Sequence, residues 1–291
     1  MSSRNCELEV DDNMKVIGFY SYKGGTGKSL AAANFAVCLS RLGIDCVLVD
    51  GDVEGPSLHN KYPRVGKGAL GKGGFIGLMA SYFKEEDWRK DDLENLAPVL
   101  GRDVSKYVYQ LPAPANPRLR PVNERQGTIH LLPGGDIHGR DYWRVVWSPL
   151  WGRLFTAYSL AEERDALQSE WYRTVFTLLL DIRRGLAALE PRPKYMIVDF
   201  RTGASELSGT IINAWVDTLV YMFAFNEDSI DYLATTFGKI WRAGDDGGRR
   251  RLRHKRAPFD IVLALSRVPT ALEYRGDRAL AGVLITGSIE H

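Results

Sequence analysis

Cysteine is scarce in this chain: Cys6, Cys38 and Cys46 are the only three in 291 residues. An odd, sparse set builds neither a disulfide framework nor a zinc site. It suits a reducing cytosol, so the expected location is cytoplasmic. Long apolar runs are missing too. None approaches the roughly 18 residues that read as a membrane span, and Met1 to Asn13 is polar and acidic, unlike a secretory signal. No membrane association is expected. Charge of one sign is also lacking. Against 38 Lys and Arg stand 36 Asp and Glu, and the net charge of +2 gives no general attraction to nucleic acid or lipid. Five scattered histidines suggest neither a metal site nor a triad. The rest is an ordinary globular balance, 45% hydrophobic and 25% charged, enough for one large α/β domain or two small ones.

The most informative segment is Lys23-Gly24-Gly25-Thr26-Gly27-Lys28-Ser29, which follows the apolar run Val16-Ile17-Gly18-Phe19-Tyr20. A strand delivers the chain to a glycine-rich turn whose backbone N–H groups can wrap polyphosphate. Lys28 can reach the β- and γ-phosphates, and the Ser29 hydroxyl can hold Mg²⁺. Gly24, Gly25, Thr26, Gly27, Lys28, Ser29 and Leu30 are the expected nucleotide contacts. An alanine-rich helix over 28–42 follows, with Ala32, Phe35, Ala36 and Leu39 at helical spacing and Gly43 placed to end it. Strictly written, the common loop carries a further glycine five positions before Gly27. Tyr22 stands there, so this is a variant loop.

Strand and helix patterns alternate along the chain. They predict an α/β fold: a mostly parallel sheet with helices on both faces. Strands are expected at 15–20, 45–49, 128–132, 195–199, 218–223 and 260–265, with a further candidate at 281–286. Helices are expected at 77–84, 151–189 in two pieces, 206–214 and 229–241. Residues 84–127, rich in charge, proline and glycine, resist assignment. Two strands end in aspartate, Cys46-Val47-Leu48-Val49-Asp50-Gly51-Asp52 and Tyr195-Met196-Ile197-Val198-Asp199. Working residues of open α/β sheets sit at such carboxyl ends, and a carboxylate there holds Mg²⁺, often through water. The alternative for Asp50 and Asp52 is a turn in which they cap backbone N–H groups.

Lys-Gly-Gly-Thr-Gly-Lys-Ser, with its second lysine, resembles the deviant phosphate loop of the ParA/MinD family of ATPases. The resemblance implies that Lys23 crosses a dimer interface to the partner's nucleotide, where positive charge meets the transferring phosphoryl group. A cis phosphate contact or a solvated lysine is the other reading. Asp50-Gly51-Asp52 resembles the family's switch I, which implies that Asp52 activates the attacking water and Asp50 sits nearer the metal and the loop lysine. Asp199-Phe200-Arg201-Thr202-Gly203 resembles switch II, implying a Mg²⁺-linked Asp199 and a Gly203 N–H that senses the γ-phosphate. Its Arg-Thr-Gly suggests a branch of the family, and Arg201 either bridges a dimer partner or pairs with a carboxylate. Leu131-Leu132-Pro133-Gly134-Gly135 and Phe223-Ala224-Phe225-Asn226-Glu227 extend the resemblance. Where many relatives carry an adenine-reading asparagine, this chain has Ser266-Arg267, either of which could take that contact. That leaves ATP over GTP open.

Taken together, these readings predict a single P-loop ATPase domain over 1–291 with an elaboration around 84–175 between switch I and the second carboxylate strand. The chain ends before the helices such a fold should gain; the two readings are a truncated chain and a protein that continues into another domain. The resemblance implies ATP and Mg²⁺ as cofactors, slow hydrolysis, an ATP-dependent homodimer and an effector or partner protein. The run Arg249 to Arg256 is either a DNA contact or a solvated loop. Tyr142, Trp143, Trp147, Trp151, Phe155 and Tyr158 suggest core or dimer-interface packing. The alternative to a hydrolase is a nucleotide-bound dimeric scaffold. A phosphotransferase would need an acceptor site that no residues specify. Regulation, defence and DNA partitioning are the roles the resemblance offers.

Overall fold

β-Branched and apolar residues alternate with amphipathic segments, and the chain folds accordingly. The computed structural model describes residues 13–62, 71–89, 96, 98–111, 121–122, 125–160, 170–203, 205–224, 230–233 and 260–266. Its strands are β1 (Lys15–Tyr20), β2 (Cys46–Gly51), β3 (Tyr109–Gln110), β4 (Ile129–Leu132), β5 (Tyr195–Phe200), β6 (Thr218–Ala224) and β7 (Asp260–Ser266). Its helices are α1 (Lys28–Arg41), α2 (Gly74–Ser81), α3 (Arg140–Val146), α4 (Pro149–Leu160), α5 (Glu170–Ala187) and α6 (Glu206–Trp215). The seven strands form one sheet in the order β3-β4-β2-β5-β1-β6-β7. All pairs are parallel except β3 with β4.

The central strands are buried on both faces, so each alternates between two apolar layers. In β2, Cys46 and Leu48 face the α1 layer with Ala32, Ala36 and Leu39. Val47 and Val49 face the opposite layer. In β5, Ile197 joins the first layer, and Met196, Val198 and Phe200 join the second. That second, larger layer holds Leu178, Leu179 and Ile182 of α5, Ile211 and Trp215 of α6, and Phe75 of α2. Phe83, Trp88, Val104, Tyr142 and Trp151 complete it, so residues read as an elaboration are packed into the core.

Several expectations shift. The helix expected at 77–84 runs Gly74–Ser81, because carbonyls of the Pro133-Gly134 turn receive the Phe75 and Ile76 N–H groups at 2.7 and 3.1 Å. They satisfy donors that a helix start leaves open. Residues 84–127, unassigned from sequence, contain β3 and two short 3-10 turns, Asp87–Arg89 and Val104–Tyr107. The sequence gives no signal for the helix α3; of the expected 151–189 helices, α4 and α5 are present and 161–169 lie outside the described residues. Of the aromatic stretch, Tyr142 and Trp151 are buried, whereas Trp147 is 76% exposed. Of the expected 229–241 helix, 230–233 are helical and the rest, like 249–256 and 281–286, lies outside the described residues.

At the N-terminal edge of the sheet, Arg183 of α5 is buried. Its guanidinium donates to the Trp215 and Met14 carbonyls at 2.9 and 3.1 Å. Beside it, Asp217 Oδ2 accepts the Val16 N–H at 2.8 Å. These contacts fix where β1 and β6 begin, and thus where β1 delivers the loop at its other end.

Candidate nucleotide-binding site

The glycine-rich loop follows β1, between β5 and β6. Gly25 and Gly27 take positive φ (76° and 80°), the left-handed region that glycine adopts without penalty. Gly27 is the residue before α1, and among the described residues no side chain caps that helix. The helix therefore presents free N–H groups at its positive end, the arrangement that binds phosphate. A Cβ on Gly24 or Gly27 would meet no atom within 4 Å, so the loop surrounds open space. Thr26 Oγ1 is buried and has no hydrogen-bond partner among the described residues, a polar atom suited to an anionic ligand.

Lys28 points its ammonium at Asp199 Oδ1, and both residues are buried at the tips of α1 and β5. Burial raises the Asp199 pKa. Lys28 and the hydrogen-bonded Ser29 hydroxyl oppose that rise. Asp50 is fully buried on the neighbouring strand. Its oxygens accept the N–H groups of Asp52 at 3.3 Å, Ser57 at 3.1 Å and Leu58 at 3.0 Å. Burial and then the Asp199 charge push its pKa up to about 7, against the pull of the Leu58 and Asp52 N–H groups. The lysine's bonded carboxylate is thus Asp199, while Asp50 has the capping geometry.

Asp52 is half-buried, and its Oδ1 accepts the Gly55 N–H at 3.3 Å. Arg201 forms an ion pair with Glu54, one of the two readings left open for it. Gly203 donates its N–H to the Ser21 carbonyl at 3.2 Å, and its own carbonyl accepts the Tyr20 hydroxyl at 3.0 Å. The Lys23 ammonium lies 5.6 Å from the centre of the Tyr232 ring, which stacks on Tyr22 at 3.9 Å. Leu30 is exposed in the first turn of α1. Ser266 ends β7 and donates its hydroxyl to the Phe223 carbonyl at 3.2 Å. Arg267, Asn226 and Glu227 lie outside the described residues.

The structure therefore brings Lys28, Ser29, Asp50, Asp52 and Asp199 to one end of the sheet. Sequence reasoning missed Glu54 as the partner of Arg201, Tyr232 as the ring under Lys23, and Tyr20 as the residue holding Gly203. Opposite charges in the two switch-like segments were the visible signal for the first. The other two had none.

Residues 12–80 match the ParA family profile described as NUBPL iron-transfer P-loop NTPase. An iron-sulfur cluster carrier protein of Aquifex aeolicus is 56% identical over 43 residues, 15% of this chain and 12% of that protein. An uncharacterized ATP-binding protein of Methanocaldococcus jannaschii is 51% identical over 47 residues, 16% of this chain and 18% of that protein. Each match thus spans less than a fifth of its relative's length. A solved structure from Corynebacterium diphtheriae shares the fold at a TM-score of 0.53 and 12% identity, over 82% of this chain and 69% of that one. Over residues 12–80, loop included, this chain is thus similar to P-loop NTPases of the ParA family. It is ParA/MinD-like.

Proposed function

We propose that this chain is a Mg²⁺-dependent ATP switch that dimerises on ATP, hydrolyses it slowly and so controls the binding of a partner. The observation that carries the reading is the buried Lys28–Asp199 pair beside Ser29 at the uncapped start of α1. Polyphosphate would be wrapped by the N–H groups of 24–29, and Lys28 would exchange part of its bond to Asp199 for the β- and γ-phosphates. Thr26 Oγ1 would gain the acceptor it lacks. Gly203 would turn its N–H from Ser21 toward the γ-phosphate. Asp52 would hold the attacking water for in-line displacement, and Lys23 would reach the partner subunit's nucleotide. On this reading the whole chain works as one P-loop domain.

The donor set fits Mg²⁺. Ser29 offers a hydroxyl oxygen, Asp199 is a carboxylate whose pKa burial raises, and Asp50 lies on the next strand. Among the described residues no group of three or more His, Cys, Asp or Glu is placed to hold a metal alone. We therefore assign the ion to the nucleotide, with Ser29 and Asp199 as its protein side and Asp50 as a more distant carboxylate. When bound, it would neutralise charge developing on the phosphates. No described helix is long and apolar enough to cross a membrane. A cytoplasmic effector or DNA is the partner class this reading favours, with 249–256 as the candidate DNA contact and Ser266 or Arg267 as the candidate adenine contact. Regulation, defence and DNA partitioning are the roles it would serve.

The test is light scattering after size exclusion, on nucleotide-free, ADP-bound and non-hydrolysable-ATP-bound protein, alongside steady-state phosphate release. Wild type should dimerise with the ATP analogue and release phosphate. Lys28→Ala should lose nucleotide binding, Lys23→Ala should lose the dimer, and Asp52→Ala should accumulate as an ATP-bound dimer. Unchanged turnover in Asp52→Ala would remove it from the chemistry. Binding and dimerisation with no phosphate release would mark a scaffold instead.

A further inference from the structure

The segment from Asp50 to Leu58 is held unevenly. Its two ends are fixed by the buried Asp50 carboxylate, which takes the N–H groups of Asp52, Ser57 and Leu58. Val53 is anchored too, since its side chain is buried in the larger apolar layer. Between these anchors, Glu54 and Gly55 are exposed. Gly55 nevertheless donates the N–H that orients the Asp52 carboxylate, to Oδ1 at 3.3 Å, and closes the turn on the Asp52 carbonyl at 3.3 Å. The part of the loop that aims Asp52 is thus the part with least packing. Its next residue, Pro56, is buried, and its exposed Glu54 pairs with Arg201. Arg201 follows directly on Phe200, the last residue of β5, whose side chain is buried in the core. It is two residues from Asp199 and two from Gly203.

We propose that Arg201 is a positioning residue that ties the Glu54–Gly55 turn to the end of β5 and thereby holds Asp52 in its working orientation. The proposal rests on the reading of Asp52 as the water-orienting group. A guanidinium suits the task. Its planar fork holds a carboxylate in a fixed direction, whereas a lysine ammonium holds it as a point charge. With side chains 41% and 50% exposed, the pair adds little to overall stability in water. Its loss should therefore leave the folding temperature unchanged while loosening the turn. The pair also joins the two switch-like segments directly, so displacement of Gly203 would be felt at Asp52 through a single side-chain contact.

The experiment compares wild type, Arg201→Ala, Arg201→Lys and the charge swap Glu54→Arg with Arg201→Glu. Two readouts are taken: kcat and KM for ATP, and hydrogen exchange of the Gly55 amide in nucleotide-free protein. Arg201→Ala should lower kcat about tenfold with KM held within about twofold, the pattern of a lost transition-state interaction. Its Gly55 amide should exchange several-fold faster. Arg201→Lys should fall between, and the swap should restore both readouts to within about threefold of wild type. Unchanged kcat and Gly55 exchange in Arg201→Ala would overturn the proposal. So would a folded swap that restores neither, the result expected if Arg201 works across a dimer interface. A wild type without phosphate release would sink the hydrolase reading, and Gly55 exchange alone would then judge the tether.

Discussion

Asp50 and Asp199 are register partners on adjacent parallel strands, both buried, and among the described residues only Asp199 has an ammonium beside it. Burial, and then the like charge of Asp199 next door, raise the Asp50 pKa from 3.8 to about 7, against the pull of the Leu58 and Asp52 N–H groups. An acid that holds its proton more tightly when folded stabilises the fold while protonated. Its unfavourable ionisation is absent below pH 4 or so and fully present above about pH 7. Between those limits Asp50 should lower stability as pH rises, by up to roughly 4 kcal/mol. Asp50→Asn cannot ionise. Urea unfolding across this window should show the gap between variant and wild type moving steadily in the variant's favour as pH rises. Parallel stability curves would mean that Asp50 does not titrate there.

The Tyr232 ring under the Lys23 ammonium favours one position of that side chain. A cation–π contact at a partly exposed site contributes about 0.5–1 kcal/mol. If Lys23 must leave the ring to serve a partner subunit, the contact is lost once in each protomer, and Tyr232→Ala should lower the protein concentration at which the ATP-bound dimer half-forms by about five- to thirtyfold. Tyr232→Phe keeps the ring face and should behave as wild type. Dimerisation measured by light scattering at a series of concentrations decides it, and a weaker dimer in Tyr232→Ala would give the ring the opposite role.

Gly74 predicts a purely structural cost. It opens α2 at φ 55°, and an added Cβ would stand 2.1 Å from the Pro133 carbonyl oxygen. That carbonyl receives the Phe75 N–H, so neither chain can retreat without losing the bond that starts the helix. Gly74→Ala should destabilise by about 2 kcal/mol or more, read as a lower urea midpoint with an unchanged slope. A midpoint equal to wild type would mean that the Pro133-Gly134 turn can shift.

The sequence was most legible where periodicity is strongest. β1, β2, β5, β6, β7 and α1 fall within one or two residues of their expected ends, because each carries a β-branched, apolar run or a helically spaced apolar face; β2 and β5 are buried along almost their whole length. The misses have tertiary causes. The helix α2 begins three residues early because a distant turn caps it, and β3 is a two-residue strand that exists through its pairing with β4. At the site, the loop and its three carboxylates could be read from strand ends. The Glu54 and Tyr232 contacts could not, since no local rule pairs residues from loops so far apart in the chain.

The buried guanidinium of Arg183 has a mechanical consequence. It clamps the start of β1 to the turn between α6 and β6, while every candidate phosphate contact lies at the strands' other ends. The sheet resembles a book bound along its spine, with the pages cut at the nucleotide edge. A load applied there, by a ligand or a docked neighbour, can bend the loops without sliding strand past strand. The chain can thus exchange loop conformations repeatedly while the binding beneath them keeps the same register.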